Sequence, residues 1–225
     1  MIQVSKNVYV ENRIKACNLG LITTREGIVL IDVPIAPSDA VRWRDEIMKK
    51  GELRYLINTE EHADHCQNSW FFPGILITSQ QTREKLAKEK TETVIERVKR
   101  TDPGGLPLMK GYSLRLADIA FTESLNIYLG DHTLRLFKLQ GHSSGGIAVH
   151  LPEDRVVFTT DCVFHRVKSW LQEADPDQWF ESLKKIGELD VDVIVPGHGE
   201  ICKKDYLNTT ATEKSRQLKW NLLYL

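Results

Sequence analysis

A chain of 225 residues, 41% of them hydrophobic, can bury a full core as a single domain over 1–225. Its 30 basic and 31 acidic side chains leave a formal net charge of −1, which removes the electrostatic footprint of a nucleic-acid or anionic-surface binder. The opening Met1-Ile2-Gln3-Val4-Ser5-Lys6 lacks a basic segment followed by an apolar core, and no apolar run is long enough to span a bilayer. A cytoplasmic protein with no membrane partner is therefore expected.

Residues 7–10 alternate as a short strand, 16–23 extend the sheet, and Glu26-Gly27 turns the chain into a strand over 28–33. Pro37-Ser38-Asp39 predicts a helix start, with the helix running to about residue 50 and stopped by Gly51. Residues 55–58 read as a buried strand running into Thr59-Glu60-Glu61-His62-Ala63-Asp64-His65. A short helix with Trp70, Phe71 and Phe72 then closes at Pro73-Gly74, before a strand over 75–78.

The charged stretch 79–100 reads as one long helix with a solvated face, since opposite charges recur three and four residues apart. Its successor, 101–107, is rich in Pro and Gly and reads as an irregular loop. Residues 127–136 form a hairpin around Gly130-Asp131, with His132 an exposed turn histidine. Residues 147–151 pair with 155–158, and His150 within that strand is structural. Asp175-Pro176-Asp177 caps a helix that buries Trp179, Leu183 and Ile186. A last helix over 206–225 presents Leu218, Leu222 and Leu225 on one side, either to the core or to a second copy, so a monomer or a homodimer is expected.

The chemistry concentrates in His62-Ala63-Asp64-His65. Two imidazoles and a carboxylate suit zinc first, then iron or manganese. A tight turn at a strand end splays alternate residues toward two different ions, so the run fits a two-metal site better than a single tetrahedral one. Three distant residues weigh against the alternative of a merely charged loop. His142 follows a strand within Gly141-His142-Ser143-Ser144-Gly145-Gly146, Asp161 ends the apolar run 155–160, and His198 sits in Pro196-Gly197-His198-Gly199 after another strand. Each β-type run delivers one ligand-type residue at its end, where a scaffold mounts chemistry.

In that order the motifs resemble the metallo-β-lactamase fold superfamily, in particular its glyoxalase II-like and lactonase-like metallohydrolases. The family's usual His-x-His-x-Asp-His appears here with Glu60 at the first histidine position. The resemblance implies an α/β fold, a four-layer αββα sandwich with the ligands along one edge. It also implies a first metal site of His62 and His142 with Glu60 in place of a third histidine. The second site would be formed by Asp64, His65 and His198, with Asp161 bridging the two. Two zinc ions are the expected cofactors, with iron or manganese admitted by the Glu60 oxygen. Glu60 itself has three readings: a ligand, a side chain that swings away to leave a one-ion enzyme, or the mark of a site reduced to binding. Flavodiiron relatives carry their glutamate at the second histidine position, where this chain keeps His62.

The expected activity is metal-dependent hydrolysis of a small ester, lactone, thioester or amide by hydroxide generated from metal-held water, with Asp64 orienting it and shuttling its proton. A phosphodiesterase or phosphotriesterase on the same paired site is the alternative, and a redox or non-catalytic metal-binding protein a second one. The partner is a small-molecule substrate. For substrate binding, Arg166 or Lys168 is placed to grip a carboxylate or phosphate, His165 to donate to an oxyanion, and Trp170 to form an apolar wall. In this family the region after residue 101 can overhang the site, so Leu106, Leu108, Met109 and Tyr112 are candidates either for an apolar lid or for the core. Cys17, Cys66, Cys162 and Cys202 show no Cys-x-x-Cys pairing and are expected reduced. Cys66 and Cys162 adjoin ligands in sequence and are expected to pack rather than ligate.

Overall fold

Short β-branched runs separated by Gly-containing turns build the first half of the protein, whose computed structural model describes residues 1–171 and 173–207. Strands Ile2–Gln3 (β1), Val8–Glu11 (β2), Leu19–Thr24 (β3) and Gly27–Ile31 (β4) form an antiparallel meander. Helix Pro37–Ile47 (α1) then crosses over to Leu53–Ile57 (β5), parallel to β4. A single turn of helix, Ala63–Cys66 (α2), leads through Ser69–Phe71 to Ile75–Ser79 (β6). Helices Gln80–Leu86 (α3) and Thr91–Thr101 (α4) precede Ile119–Phe121 (β7), which completes a seven-stranded sheet in the order β1 to β7.

The second half contributes Ser124–Leu129 (β8), His132–Lys138 (β9), Ile147–Leu151 (β10) and Val156–Phe158 (β11) as antiparallel neighbours. After the two-residue strand Phe164–His165 (β12) and helix Pro176–Glu188 (α5), Val193–Val195 (β13) adds parallel to β11. The two-residue His198–Gly199 (β14) pairs with β12.

Alternation along the strands sorts the layers. Val8, Val10, Ile22, Val29 and Ile31 of the first sheet meet Leu134, Leu136, Ile147 and Val149 of the second in a core between the sheets. On the outer face of the first sheet, Leu21, Leu30 and Leu56 pack against Trp43 and Ile47 of α1. On that of the second, Ala148, Val157 and Ile194 pack against Trp179, Leu183 and Ile186 of α5. Every residue of β10 is buried because both of its faces are covered. These are the layers of an αββα sandwich.

Several elements depart from the sequence reading. The single helix expected over 79–100 is two helices. Ser79 Oγ accepts from the Thr82 N–H to start α3, whose C-cap is Ala87, and the chain restarts at Thr91. The second helix is more than a solvated face, because Val94 and Val98 are fully buried and Arg97 ties Gln67 to Glu89. No Gly or Pro marks the break, so tertiary contacts set it. The expected loop after residue 101 contains a 3₁₀ turn, Pro103–Met109. The start of α1 has no side-chain cap of its own; Asp102 Oδ2 accepts from the Ser38 N–H at 2.9 Å, while Asp102 Oδ1 accepts from Gly105 N–H. His132 is buried rather than exposed, held between Asp131 at 3.1 Å and Asp154 at 3.0 Å. Strand β7 went unread in the sequence. From residue 208 onward the expected C-terminal helix lies outside the described residues.

Asp102 thus caps two elements through one carboxylate. Asp102→Ala is expected to lower stability by about 1–2 kcal/mol in urea unfolding. Asp39→Ala, which removes the residue that sequence alone nominates near the cap, should change it by less than about 0.5 kcal/mol.

Candidate metal centre

Parallel strands end at a common edge, and this is what gathers the ligands. Strands β4 and β5 deliver Asp32 and the 58–65 turn, while β11 and β13 deliver Asp161 and His198. Beyond β5 the chain runs buried through Asn58, Thr59, Glu60 and Glu61 before His62 takes the N-cap of α2. Glu61 pins this run to α3, with Oε1 on Lys85 Nζ at 2.6 Å and Oε2 on the Thr82 hydroxyl at 3.2 Å. Asp161 lies in a 3₁₀ turn after β11, begun by Thr160 at φ 45°, a left-handed conformation that a β-branched residue adopts only under compulsion. The Gly197 N–H donates to Thr160 O at 2.7 Å, and a Cβ on Gly197 would collide with the Asp161 carboxylate, so only glycine allows this approach. Gly141, at φ 124° and packed on the Trp179 backbone, likewise sets His142.

The seven residues expected as ligands converge. Glu60, His62, His142 and Asp161 form one cluster, and Asp64, His65 and His198 a second; within each, the ligand atoms lie within 4.8 Å of one another. Asp161 spans both: Oδ2 is 3.4 Å from His142 Nε2, and Oδ1 is 3.4 Å from His65 Nε2 and from His198 Nε2. His198 Nε2 is also 3.2 Å from Asp64 Oδ2. Glu60 has not swung away. Its Oε1 lies 2.7 Å from His62 Nδ1.

Surrounding groups orient these side chains. His65 Nδ1 donates to Asp32 Oδ2 at 2.9 Å, turning Nε2 inward, and His142 Nδ1 donates to the Trp170 carbonyl at 3.1 Å with the same effect. Asp32 is fixed in turn by Thr59, which donates N–H to Oδ1 at 2.7 Å and Oγ to Oδ2 at 2.6 Å. The Phe164 ring stacks on His198, centroids 5.6 Å apart and nearly parallel. Asp32, Thr59 and Ser143 are absent from the set expected from sequence. Asp32 was within reach, since it too is an acidic residue ending an apolar strand; Thr59 and Ser143 carry no such signal.

Electrostatics says what the cluster wants. Burial pulls His62 down, but the Glu60 carboxylate outweighs it and raises the imidazole to about 9. His198, also buried, is lifted to about 9 by Asp161 and Asp64. His65 is raised well above its ordinary value because Cys17, Asp32, Glu60 and Asp161 outweigh its complete burial. Burial works against ionised Asp64, yet His198 and His65 hold it down at about 2. Asp161 is likewise held below the carboxylate range by His65 and His198 despite burial. The carboxylates therefore favour positive charge throughout this cluster. Moreover, among the described residues the buried His65 Nε2 and Asp161 Oδ1 have no hydrogen-bond partner. Orphaned donor atoms converging in a mixed imidazole and carboxylate set fit a pair of divalent ions.

A cavity of about 560 Å³ opens over the clusters, its further walls including Phe164, Val167, Lys168 and Trp170. Two residues leave the expected substrate-gripping set. Arg166 pairs with Glu200 at 2.9 Å, while His165 donates from Nδ1 to the Glu200 carbonyl and lies against the Tyr206 ring; neither lines the cavity. The lid reading also gives way to the core one. Met109 and Tyr112 are buried beside α1, Leu106 packs on them, and Leu108 is exposed beside Val41 and Arg42. Tyr112 Oη donates to the Gln67 carbonyl at 2.7 Å, which anchors it away from the cavity. Cys66 and Cys162 are buried, and Cys66 Sγ donates to the Glu61 and His62 carbonyls.

A profile of the metallo-beta-lactamase superfamily matches residues 13–198. The hydroxyacylglutathione hydrolase of Ruegeria pomeroyi is 37% identical over 82 residues, 36% of this chain and 32% of that protein. The beta-lactamase-like protein 2 homolog of Caenorhabditis elegans is 27% identical over 152 residues, 68% of this chain and 44% of that protein. The chain thus spans about a third of the length of the hydroxyacylglutathione hydrolases it matches, 32% and 28% in two of them. Among solved structures, a metallo-beta-lactamase from Pontibacter korlensis superposes with a TM-score of 0.74 at 18% identity, covering 94% of this chain and 96% of that one. Together with the converging ligand set and the layered sheets, the extent of the profile match means that this chain belongs to the metallo-beta-lactamase superfamily.

Proposed function

We propose that the chain is a metal-dependent hydrolase acting in the cytoplasm on a small thioester or ester. The observation that carries this is the placement of Asp161, whose two oxygens face different histidine sets and whose Oδ1 is buried without a hydrogen-bond partner among the described residues. Hydroxyacylglutathione hydrolases among the relatives favour a thioester within the wider set of acyl substrates. Zinc is the first expectation for the ions, with manganese or iron admitted by the oxygen-rich donor set.

Glu60, His62, His142 and Asp161 would hold one ion, and Asp64, His65, His198 and Asp161 the other. Bound there, the ions supply Lewis-acid polarisation of the acyl oxygen and an activated water. Asp64 lines the cavity and stays ionised at neutral pH, so its carboxylate accepts a hydrogen bond from water and orients it. Asp32 and the Trp170 carbonyl hold the imidazoles of His65 and His142 in the tautomer that turns Nε2 inward. Lys168 offers a cation to an anionic substrate group, and Val167 and Trp170, 47% and 58% exposed, offer it apolar surface.

Three outcomes test this. A panel of acyl thioesters, esters, lactones and phosphodiesters, assayed with zinc, manganese and iron, should show thioester or ester turnover; turnover of phosphodiesters alone would overturn the acyl assignment. Lys168→Met should raise KM for anionic substrates about tenfold, or about 1.4 kcal/mol, while leaving kcat and neutral substrates nearly unchanged. Metal binding should tighten as pH rises. His62 and His198 carry protons below about 9 that a metal must displace, so apparent affinity climbs toward that pH and levels off above it. Calorimetry in buffers of different ionisation enthalpy reads the released protons directly.

A further inference from the structure

Glu60 stands where the family places a terminal imidazole, but its surroundings differ from those of a simple replacement. The side chain is fully buried. One oxygen, Oε2, accepts from the Ser143 hydroxyl at 2.8 Å and is thereby tethered to the loop that carries His142. The other, Oε1, reaches in three directions: 2.7 Å to His62 Nδ1, 3.7 Å to His142 Nε2 and 3.4 Å to His65 Nε2. The first two belong to one cluster and the third to the other. A group serving a single ion has no reason to face His65, whose Nε2 is fully buried and has no hydrogen-bond partner among the described residues. Among the described residues, Asp161 is the other carboxylate that faces imidazoles of both clusters.

We propose that Glu60 is a second carboxylate shared by the two ions, with Oε1 between the clusters and Oε2 held back by Ser143. This rests on the two-ion reading above. With Asp64 and Asp161, it sets three carboxylates against the four charges of two dications, where a histidine at position 60 would leave two. Sharing also couples the sites, because an ion in either cluster draws Oε1 into place for the other. A centre so built loads its ions as a pair and favours oxygen-seeking manganese or iron more than an all-imidazole first site does.

Manganese(II) titration followed by electron paramagnetic resonance and elemental analysis tests this without recourse to activity. The native chain should take up two equivalents together, with spin-coupled signals from the start and no accumulation of the isolated-ion spectrum at one equivalent. Glu60→His, which restores a terminal imidazole, and Glu60→Gln, which keeps the shape without the charge, should load stepwise through an isolated-ion species. Ser143→Ala, which frees Oε2, should weaken pairwise uptake about tenfold. Stepwise loading of the native chain, or pairwise loading unchanged in both Glu60 variants, overturns the shared-carboxylate assignment. Native binding of fewer than two ions instead overturns the ion-pair reading and takes the bridge with it.

Discussion

The site depends on carboxylates held where water cannot solvate them. Asp32, Glu60 and Asp161 are all buried, and Asp64 is partly so, within one edge of a two-sheet sandwich. Leaving a buried carboxylate uncompensated costs several kcal/mol, whereas an opposite charge about 3.5 Å away returns about 5 kcal/mol at an effective dielectric of about 20. The arrangement is therefore tolerable only with positive charge among the oxygens. The imidazoles of His62, His65 and His198 take that role by holding protons well above their ordinary range. Divalent ions would serve the same electrostatic need with greater charge.

The remaining architecture keeps the oxygens and nitrogens aimed inward. Asp32 and Thr160 both sit at left-handed backbone positions just past strands β4 and β11, with φ of 58° and 45°. Their side-chain oxygens are joined through Thr59, whose hydroxyl lies 2.6 Å from Asp32 Oδ2 and 3.0 Å from Thr160 Oγ1. One hydroxyl thus links the turn behind His65 in the first half to the turn carrying Asp161 in the second. Strained backbone at two sheet edges persists because that link, together with the hydrogen bonds from Gly197, over-determines it. Aromatic packing completes the frame, since Phe164 and Trp179 wedge His142 at centroid distances of 5.5 and 5.6 Å.

Position 60 carries a buried glutamate where the motif resemblance leads one to expect a histidine. Its Oε1 faces imidazoles of both clusters. Ser143 meets the second carboxylate oxygen, and His62 is the nearest imidazole to the first. Lys168 and Trp170 line the cavity, while Arg166 pairs with Glu200 outside it.

By itself the sequence nominated His62, Asp64, His65, His142, Asp161 and His198 as ligand-type residues at strand ends, and the resemblance added Glu60 to them. The Tyr55 strand, the Gly130 hairpin and the Asp175-capped helix were legible for local reasons. The layering of the sandwich came from resemblance and is borne out by the two sheets and their three cores. What tertiary structure alone decided are relations between residues far apart in the chain. Asp102 caps a helix that begins 65 residues earlier in sequence, Glu200 pairs with Arg166, and a tertiary break divides the charged stretch after Ser79 into two helices. Glu60's reach to His65 is local in sequence but was equally illegible, since it depends on how α2 turns behind it. Local propensity fixes where a ligand lies along a strand, but the direction of its lone pairs is set by groups such as Asp32, Thr59 and Ser143, which only folding brings near.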